Sequence, residues 1–293
     1  MNTLSISSTS LWQRAGMLLA GFVLAACGKQ AEPPAPAAPP TTEASAPAPS
    51  PAPAKTYVVG TDAAYAPFES QNSTGEIVGF DIDIVKAVAA KAGIEVKFVN
   101  TPWEGIFNTL AQGDRDLLVS AITITEERKQ TMDFSSPYFD AQQLIAVPDS
   151  SKVSKFADLK KLKVGVQTGT TGDEVVTKLL GKNSTNIKRF ESTPMALQEL
   201  QAGGVDAVVA DNGVVVNYIA NNTGTKFKTV NDASFAPEQY GLAVRKGNTE
   251  LLEKLNKGLA DIKADGTYDQ IYTKYFGAKA TDAAAAPASA ASN

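Results

Sequence analysis

Three residues stand where they could hold opposite charges on one small molecule. Arg128 lies in SAITITEERK (120–129), just after an apolar run, while Asp211 follows VDAVVA and Asp62 follows YVVGT. A guanidinium grips a carboxylate through two parallel hydrogen bonds, and an aspartate neutralises an ammonium group. Around Gln167 the stretch VGVQTGTTGDE (164–174) reads as a strand, a tight turn and a helix start, with Thr170 or Thr171 placed to cap it. Backbone N–H groups at such a start favour an anion. These groups describe a site for a zwitterion, and Tyr65 and Trp103 are aromatics able to flank the aliphatic or cationic part of its side chain.

Each residue also has a plainer reading. Arg128 can be a solvated arginine balanced by Glu126 and Glu127, although a helix's first turn, which carries about half a positive charge, is an unfavourable place for it. Asp211 can cap a helix over NGVVVNYIAN (212–221), Trp103 can be the first apolar position of a helix, and TGTTG can be an ordinary turn. Convergence favours the site, because ligands of open α/β sheets bind beyond the C-terminal strand ends.

Other chemistries are excluded. The chain of 293 residues has no histidine and one cysteine, Cys27, so Ser-His-Asp or Cys-His catalysis and His/Cys metal sites are ruled out. The glycine spacing of VGVQTGTTG fits neither dinucleotide nor phosphate-loop fingerprints. A net charge of -4 and a pI near 5.1, with no Lys/Arg cluster, point away from a nucleic-acid partner.

The positioning elements alternate. YVVGT (57–61) reads as a strand, DIDIVKAVAAKAG (81–93) as a helix capped by Asp81 and ended by Gly93, and EVKFVN (95–100) as a strand. WEGIFNTLAQG (103–113) reads as a helix with Trp103, Ile106, Phe107 and Leu110 on one face, and DLLVSAI (116–122) as a strand. This alternation predicts an α/β fold with largely parallel sheets. The pattern then repeats: VGTD (59–62) is echoed by VGVQ (164–167), LAQGDRDLLVS (110–120) by LQAGGVDAVVA (200–210), and Thr101-Pro102 by Thr193-Pro194. Two related lobes facing each other would bring Asp62, Ser120, Gln167 and Asp211 into one cleft. The strand YGLAV (240–244) and helices over 251–266 and 267–277 are placed back on the first lobe, with crossings expected near 144–147 and 238–243.

The termini differ from the rest. AGMLLAGFVLAA precedes Cys27 and is too short to span a bilayer, so residues 1–26 read as a signal peptide. Leu24-Ala25-Ala26-Cys27 resembles the bacterial lipobox, which predicts lipidation at Cys27; an ordinary cleaved signal is the alternative. Residues 27–54 are a Pro/Ala-rich linker, expected to be disordered, with a reach of about 80 Å fully extended. The expected organisation is lobe 1 over 55–143, lobe 2 over 149–236, a return to lobe 1 over 241–278, and a disordered tail over 279–293.

VGTDAAYAPFE (59–69), GEIVGFDIDI (75–84), SAITITEERK, MDFSSPYF (132–139), VGVQTGTTGDE, DAVVAD (206–211) and ADGTYDQIYTKYFG (264–277) together resemble the polar amino-acid-binding family of periplasmic solute-binding proteins. The resemblance implies the two-lobed periplasmic-binding-protein fold with a two-strand hinge, closing on a free L-amino acid and delivering it to the permease and ATPase of an ABC importer. It implies a monomer in the periplasm, with no cofactor and no enzymatic activity. It assigns Arg128 to the ligand carboxylate, with backbone at Thr123 and at the Thr170–Thr171 turn. Asp211 and the backbone at Ser120 and Ala121 fall to the ammonium group, and Asp62, Tyr65, Trp103 and Gln167 to the side chain. Asp62 and the TGTTG turn are closer to binders of lysine, arginine, ornithine and histidine. Gln167 and Ala210 replace the Lys and His of glutamine-binding relatives, so a basic amino acid is expected first and glutamine second. Cyclohexadienyl dehydratases resemble the same receptors and supply the enzyme alternative; a sensory module is another.

Overall fold

A computed structural model describes residues 55–277; the expected signal peptide, Cys27, the linker up to residue 54 and the tail lie outside the described residues. The chain opens with β1 (Thr56–Thr61) and a small antiparallel sheet of β2 (Ala64–Tyr65), β3 (Glu69–Gln71) and β4 (Ile77–Val78). Then come α1 (Phe80–Ala92), β5 (Glu95–Asn100), α2 (Ile106–Gln112), β6 (Leu117–Leu118), α3 (Glu126–Lys129) and β7 (Met132–Phe134). After β8 (Phe139–Ala141) and β9 (Gln143–Pro148) follow β10 (Val164–Gln167), α4 (Thr171–Leu180), β11 (Ile187–Phe190), α5 (Thr193–Ala202), β12 (Ala207–Asp211), α6 (Asn212–Asn221) and β13 (Phe227–Val230). The chain returns through β14 (Glu238–Tyr240) and β15 (Ala243–Arg245) to α7 (Thr249–Ala264) and α8 (Thr267–Phe276).

Two five-stranded sheets share one plan. Their orders are β5-β1-β6-β15-β7 and β11-β10-β12-β9-β13, with the first three strands of each parallel, the fourth antiparallel to them and the fifth antiparallel to the fourth. The sequence repeat is thus a structural one, with β1 matching β10 and β6 matching β12. The fourth position of each sheet is filled by a strand that arrives from the other side. β8 and β14, which precede those strands, pair with each other in a separate two-stranded sheet. That pair is the hinge.

Several boundaries differ from the sequence reading. The crossing expected at 144–147 lies instead at 139–142, because Gln143–Val147 is buried on both faces as an interior strand of the second sheet. Asp81 does not cap α1. Gly79 takes that place at φ 145, where a Cβ would sit 2.0 Å from the Phe68 carbonyl oxygen, and Asp81 is buried inside the first turn. Trp103 precedes α2, since Gly105 at φ 90 breaks the backbone before Ile106. The strand expected over 116–122 is reduced to Leu117–Leu118, and the chain turns at Ala121, whose φ is 45.

α7 buries Leu251, Leu255, Leu259 and Ile262, and a Cβ at Gly258 would lie 2.7 Å from the Val88 carbonyl, so α7 lies close along α1. This places the C-terminal helices on the first sheet, as expected, and each buried leucine contributes about 1.5–3 kcal/mol. The first core is rich in aromatics, with Phe68 against Phe139 at 4.9 Å and Phe80 against Phe276 at 5.2 Å between ring centres. Val214 of α6 also belongs to it, and a Cβ on neighbouring Gly213 would lie 2.9 Å from the Phe68 ring. Aliphatic residues fill most of the second core. Among the described residues no helix is long and apolar enough to cross a membrane.

Candidate functional site

The C-terminal ends of β1, β6, β10 and β12 meet around one cavity, and all eleven residues expected at a ligand line it. Asp62 and Ser120 come from the first sheet, and Gln167 and Asp211 from the second, as the repeat requires. No group of three or more His, Cys, Asp or Glu among the described residues is arranged to hold a metal ion.

Arg128 is 9% exposed. Its helix, α3, has only four residues, so the guanidinium is not set against a helix dipole of any length; the unfavourable placement inferred from the sequence disappears. Thr125 caps α3 by accepting the Arg128 backbone N–H, and Glu126 pairs with Lys129 rather than with the arginine. The guanidinium donates to the Thr123 carbonyl at 2.8 Å and reaches the Gly169 carbonyl across the cleft at 3.5 Å. Trp103 and Phe107 stack over it, 5.4 and 5.2 Å from the guanidinium carbon. Burial lowers its pKa, but an arginine remains charged at any physiological pH. Of its five N–H donors, two find partners among the described residues, leaving donors for an anion. Opposite it, Thr170 caps α4 through the Asp173 N–H, and the first-turn N–H groups at Thr171 and Gly172 have no carbonyl within the helix to bond. A Cβ at Gly172 would meet the Val209 carbonyl at 3.0 Å, so the helix start lies hard against β12.

Asp211 is 6% exposed and occupies the N-cap position of α6 without capping it. Its carboxylate accepts instead from Gln143 Nε2 at 2.5 Å and from the Tyr240 hydroxyl. The Tyr65 hydroxyl also faces it, so Tyr65 reaches this polar end while still lining the cavity. All three donors are neutral, and burial pushes the Asp211 pKa up, with the Glu238 carboxylate adding to the rise. Glu238, on the hinge strand β14, accepts from Thr123 Oγ1 at 2.6 Å, Thr171 Oγ1 at 2.9 Å and Gln143 Nε2 at 3.0 Å. An ammonium group placed here would satisfy carboxylates that have only neutral partners.

At the other end, burial raises the Asp62 pKa to about 6, opposed by the Trp103 backbone N–H and the Gln167 amide. The Gln167 amide is oriented by its partners: Oε1 accepts from Thr193 Oγ1 at 3.0 Å, while Nε2 donates to the Glu191 carbonyl at 3.1 Å and reaches Asp62 at 3.4 Å. The Asp62 N–H donates to Ser120 Oγ at 3.0 Å, tying the ends of β1 and β6 together.

Sequence reasoning missed Glu238, Gln143 and Phe107. Phe107 passed as the apolar face of α2. A polar Gln142-Gln143 pair heading the apolar LIAV was the available signal for a buried amide, whereas Glu238 acquires its partners only through contacts 67 to 115 residues away.

Residues 57–278 match the family model for bacterial extracellular solute-binding proteins, family 3. The chain is 42% identical over 275 residues to the probable histidine-binding protein of Neisseria gonorrhoeae, covering 93% of this chain and 98% of that one. It is 36% identical to ABC transporter arginine-binding protein 1 of Escherichia coli K12, over 74% of this chain and 89% of the relative. The arginine-, lysine-, histidine-binding protein ArtJ of Geobacillus stearothermophilus superposes with a TM-score of 0.74 at 45% identity, over 77% of this chain and 96% of that one. With the paired sheets, the hinge and a cavity at the facing strand ends, these likenesses lead to one conclusion: the chain belongs to the bacterial extracellular solute-binding proteins, family 3.

Proposed function

We propose that the chain captures a free basic L-amino acid (arginine, lysine, histidine or ornithine, with glutamine next) by lobe closure and delivers it to the permease and ATPase of an ABC importer. One observation carries this reading: a single cavity sets buried Arg128 near one wall, buried Asp211 with only neutral donors near another, and Asp62 at the far end. Arg128, the N–H groups of Thr123 and the Thr170–Thr171 turn take the α-carboxylate; Asp211 with the backbone of Ser120 and Ala121 takes the α-ammonium. Asp62, Tyr65, Trp103 and Gln167 surround the side chain. A second cation in the ligand suits a site in which Asp62 has no cationic partner of its own. The neighbours named for histidine or arginine binding support the same choice.

In this reading the protein works as a monomer, without a cofactor or a nucleic-acid partner, exported by its signal peptide and held to a membrane of the cell envelope by lipid on Cys27. The lobes run over 55–141 with 241–277, and over 143–236. A thermal-shift screen of the free amino acids tests the ligand, because binding to the folded state alone stabilises it by about 2.7 kcal/mol at a hundredfold excess over Kd, or about 5–10 °C for a chain of this size. Basic amino acids should give the largest shifts; no shift with any amino acid removes the reading.

A cyclohexadienyl-dehydratase-like enzyme on this fold is the second reading. Asp62 favours it, since a carboxyl raised to about 6 suits general-acid work. Incubation with prephenate or arogenate separates the two, and product formed at enzymatic rates rejects a purely binding role. A sensory role would use the same capture step and differ in the partner.

A further inference from the structure

Ser120 and Ala121 line the cavity, and two buried carboxyl groups hold them from behind. Ser120 Oγ donates to Glu69 Oε1 at 3.1 Å, and the Ala121 N–H donates to Asp81 Oδ2 at 2.8 Å. The Tyr138 hydroxyl donates to the same Asp81 oxygen at 2.7 Å. Glu69 and Asp81 are both 0% exposed. Their other oxygens, Glu69 Oε2 and Asp81 Oδ1, are buried with no hydrogen-bond partner. The two side chains face each other, and among the described residues no lysine or arginine figures in the pKa shift of either; the other ionisable groups around them are the Asp62 carboxyl and the Tyr65, Tyr138 and Tyr268 hydroxyls.

Two touching carboxylates in a dry site cannot both be ionised, because like charges at that separation and the loss of hydration both oppose the second charge. One proton removes the conflict, since a protonated carboxyl gains a donor that the facing oxygen lacks. Asp81 already accepts from two donors, and Glu69 from one hydroxyl, so the charge is better held on Asp81 and the proton on Glu69.

We propose that Glu69 is un-ionised at neutral pH and donates its proton to Asp81, and that this acid pair is the clamp that positions Ser120 and Ala121 at the ligand's ammonium end. The conformation of Ala121 gives the clamp its purpose. Its φ of 45 is unfavourable for a residue with a Cβ, and such a conformation persists only where surrounding bonds over-determine it. The Asp81 carboxylate supplies the bond to its N–H, and Glu69 fixes the preceding side chain. The positioning role rests on the amino-acid-binding reading; the site of the proton does not.

Infrared difference spectroscopy of the full chain against Glu69→Gln at neutral pH tests the proton directly. The wild type should show the C=O band of a buried carboxylic acid that the variant lacks, and absence of that band overturns the proposal. Calorimetry with L-arginine as the probe tests the clamp. Glu69→Gln keeps one donor and one acceptor and should bind within about threefold of wild type, whereas Glu69→Leu should lose about tenfold or more. Equal losses in the two variants, with both folded, would refute the positioning role. Where the wild type binds no amino acid, the functional reading fails and the infrared band still decides the proton.

Discussion

At one end of the cavity Arg128 and Asp211 are each fixed by short hydrogen bonds to buried neighbours, including the 2.8 Å bond to the Thr123 carbonyl and the 2.5 Å bond from Gln143. At the other end Asp62 and Gln167 meet across the cleft at 3.4 Å. The first end is pre-organised, and a ligand there finds its partners already aimed. Both ends draw on both lobes, but at the second end the contact between Asp62 and Gln167 is itself the one across the cleft, so it adjusts to what lies between the lobes. Such a division suits a receptor in which every ligand shares an α-carboxylate and α-ammonium while side chains vary, since rigid groups lose little freedom on binding.

Removing the rigid end should have the largest effect. On the proposed reading Arg128→Ala would delete a bidentate, charge-assisted contact of about 3–6 kcal/mol in total, so calorimetry should find affinity for every amino acid reduced by about a hundredfold or more while the circular dichroism spectrum is retained. Unchanged affinity would break the comparison at its stronger side. A smaller, selective effect is expected at the adjustable end. Asp62→Asn should weaken cationic ligands by about tenfold or more and neutral ones by less than about threefold, and equal losses would erase the distinction between the ends.

The pH dependence follows from the same carboxyl. Burial raises Asp62 to about 6 in the folded chain, above the ordinary aspartate value of about 3.9. The folded state therefore binds more protons than the unfolded state between about 4 and 6, and Asp62 reduces stability as pH rises through that window. Affinity for a cationic ligand moves the other way, rising severalfold from pH 5 to pH 7 as the carboxylate ionises. Titration calorimetry across that range checks it against a neutral amino acid, since burial also raises Asp211 to about 6 and Asp211 acts on every ligand; Asp62→Asn should remove the extra dependence seen for the cationic ligand. The smallest effect belongs to Glu126→Gln. Glu126 is exposed and paired with Lys129, so its loss should change stability by less than about 1 kcal/mol and leave affinity unchanged. A clear loss of affinity would return Arg128 to the company of its helix neighbours.

Much of this was legible because strand ends carry function in α/β sheets and the repeat aligned them. Asp62 with Gln167, and Ser120 with Ala210 beside Asp211, follow from superposing two sequence segments. What the segments could not show is which residues stand behind the front row. Asp81 sits in a pattern that reads as a helix cap and Glu69 in a segment that signals no element, and only the packing of β3 and α1 against residues 120–121 turns them inward. Helix limits failed at Gly79 and Gly105 for a related reason: a glycine's left-handed backbone ends periodicity that side-chain types alone would extend. The hinge register was missed because β9 is apolar on both faces, as a buried strand in either sheet would be.

The contact of α6 with the first core has a thermal consequence. A separation of the lobes that withdrew Val214 and the bare backbone of Gly213 from Phe68 would wet apolar surface that is dry in this structure. Hydration of such surface raises heat capacity, so closing on a ligand should carry a negative heat-capacity change larger than a small polar molecule alone would bring. The temperature slope of the binding enthalpy then measures lobe movement itself, with the amino acid serving only as the trigger.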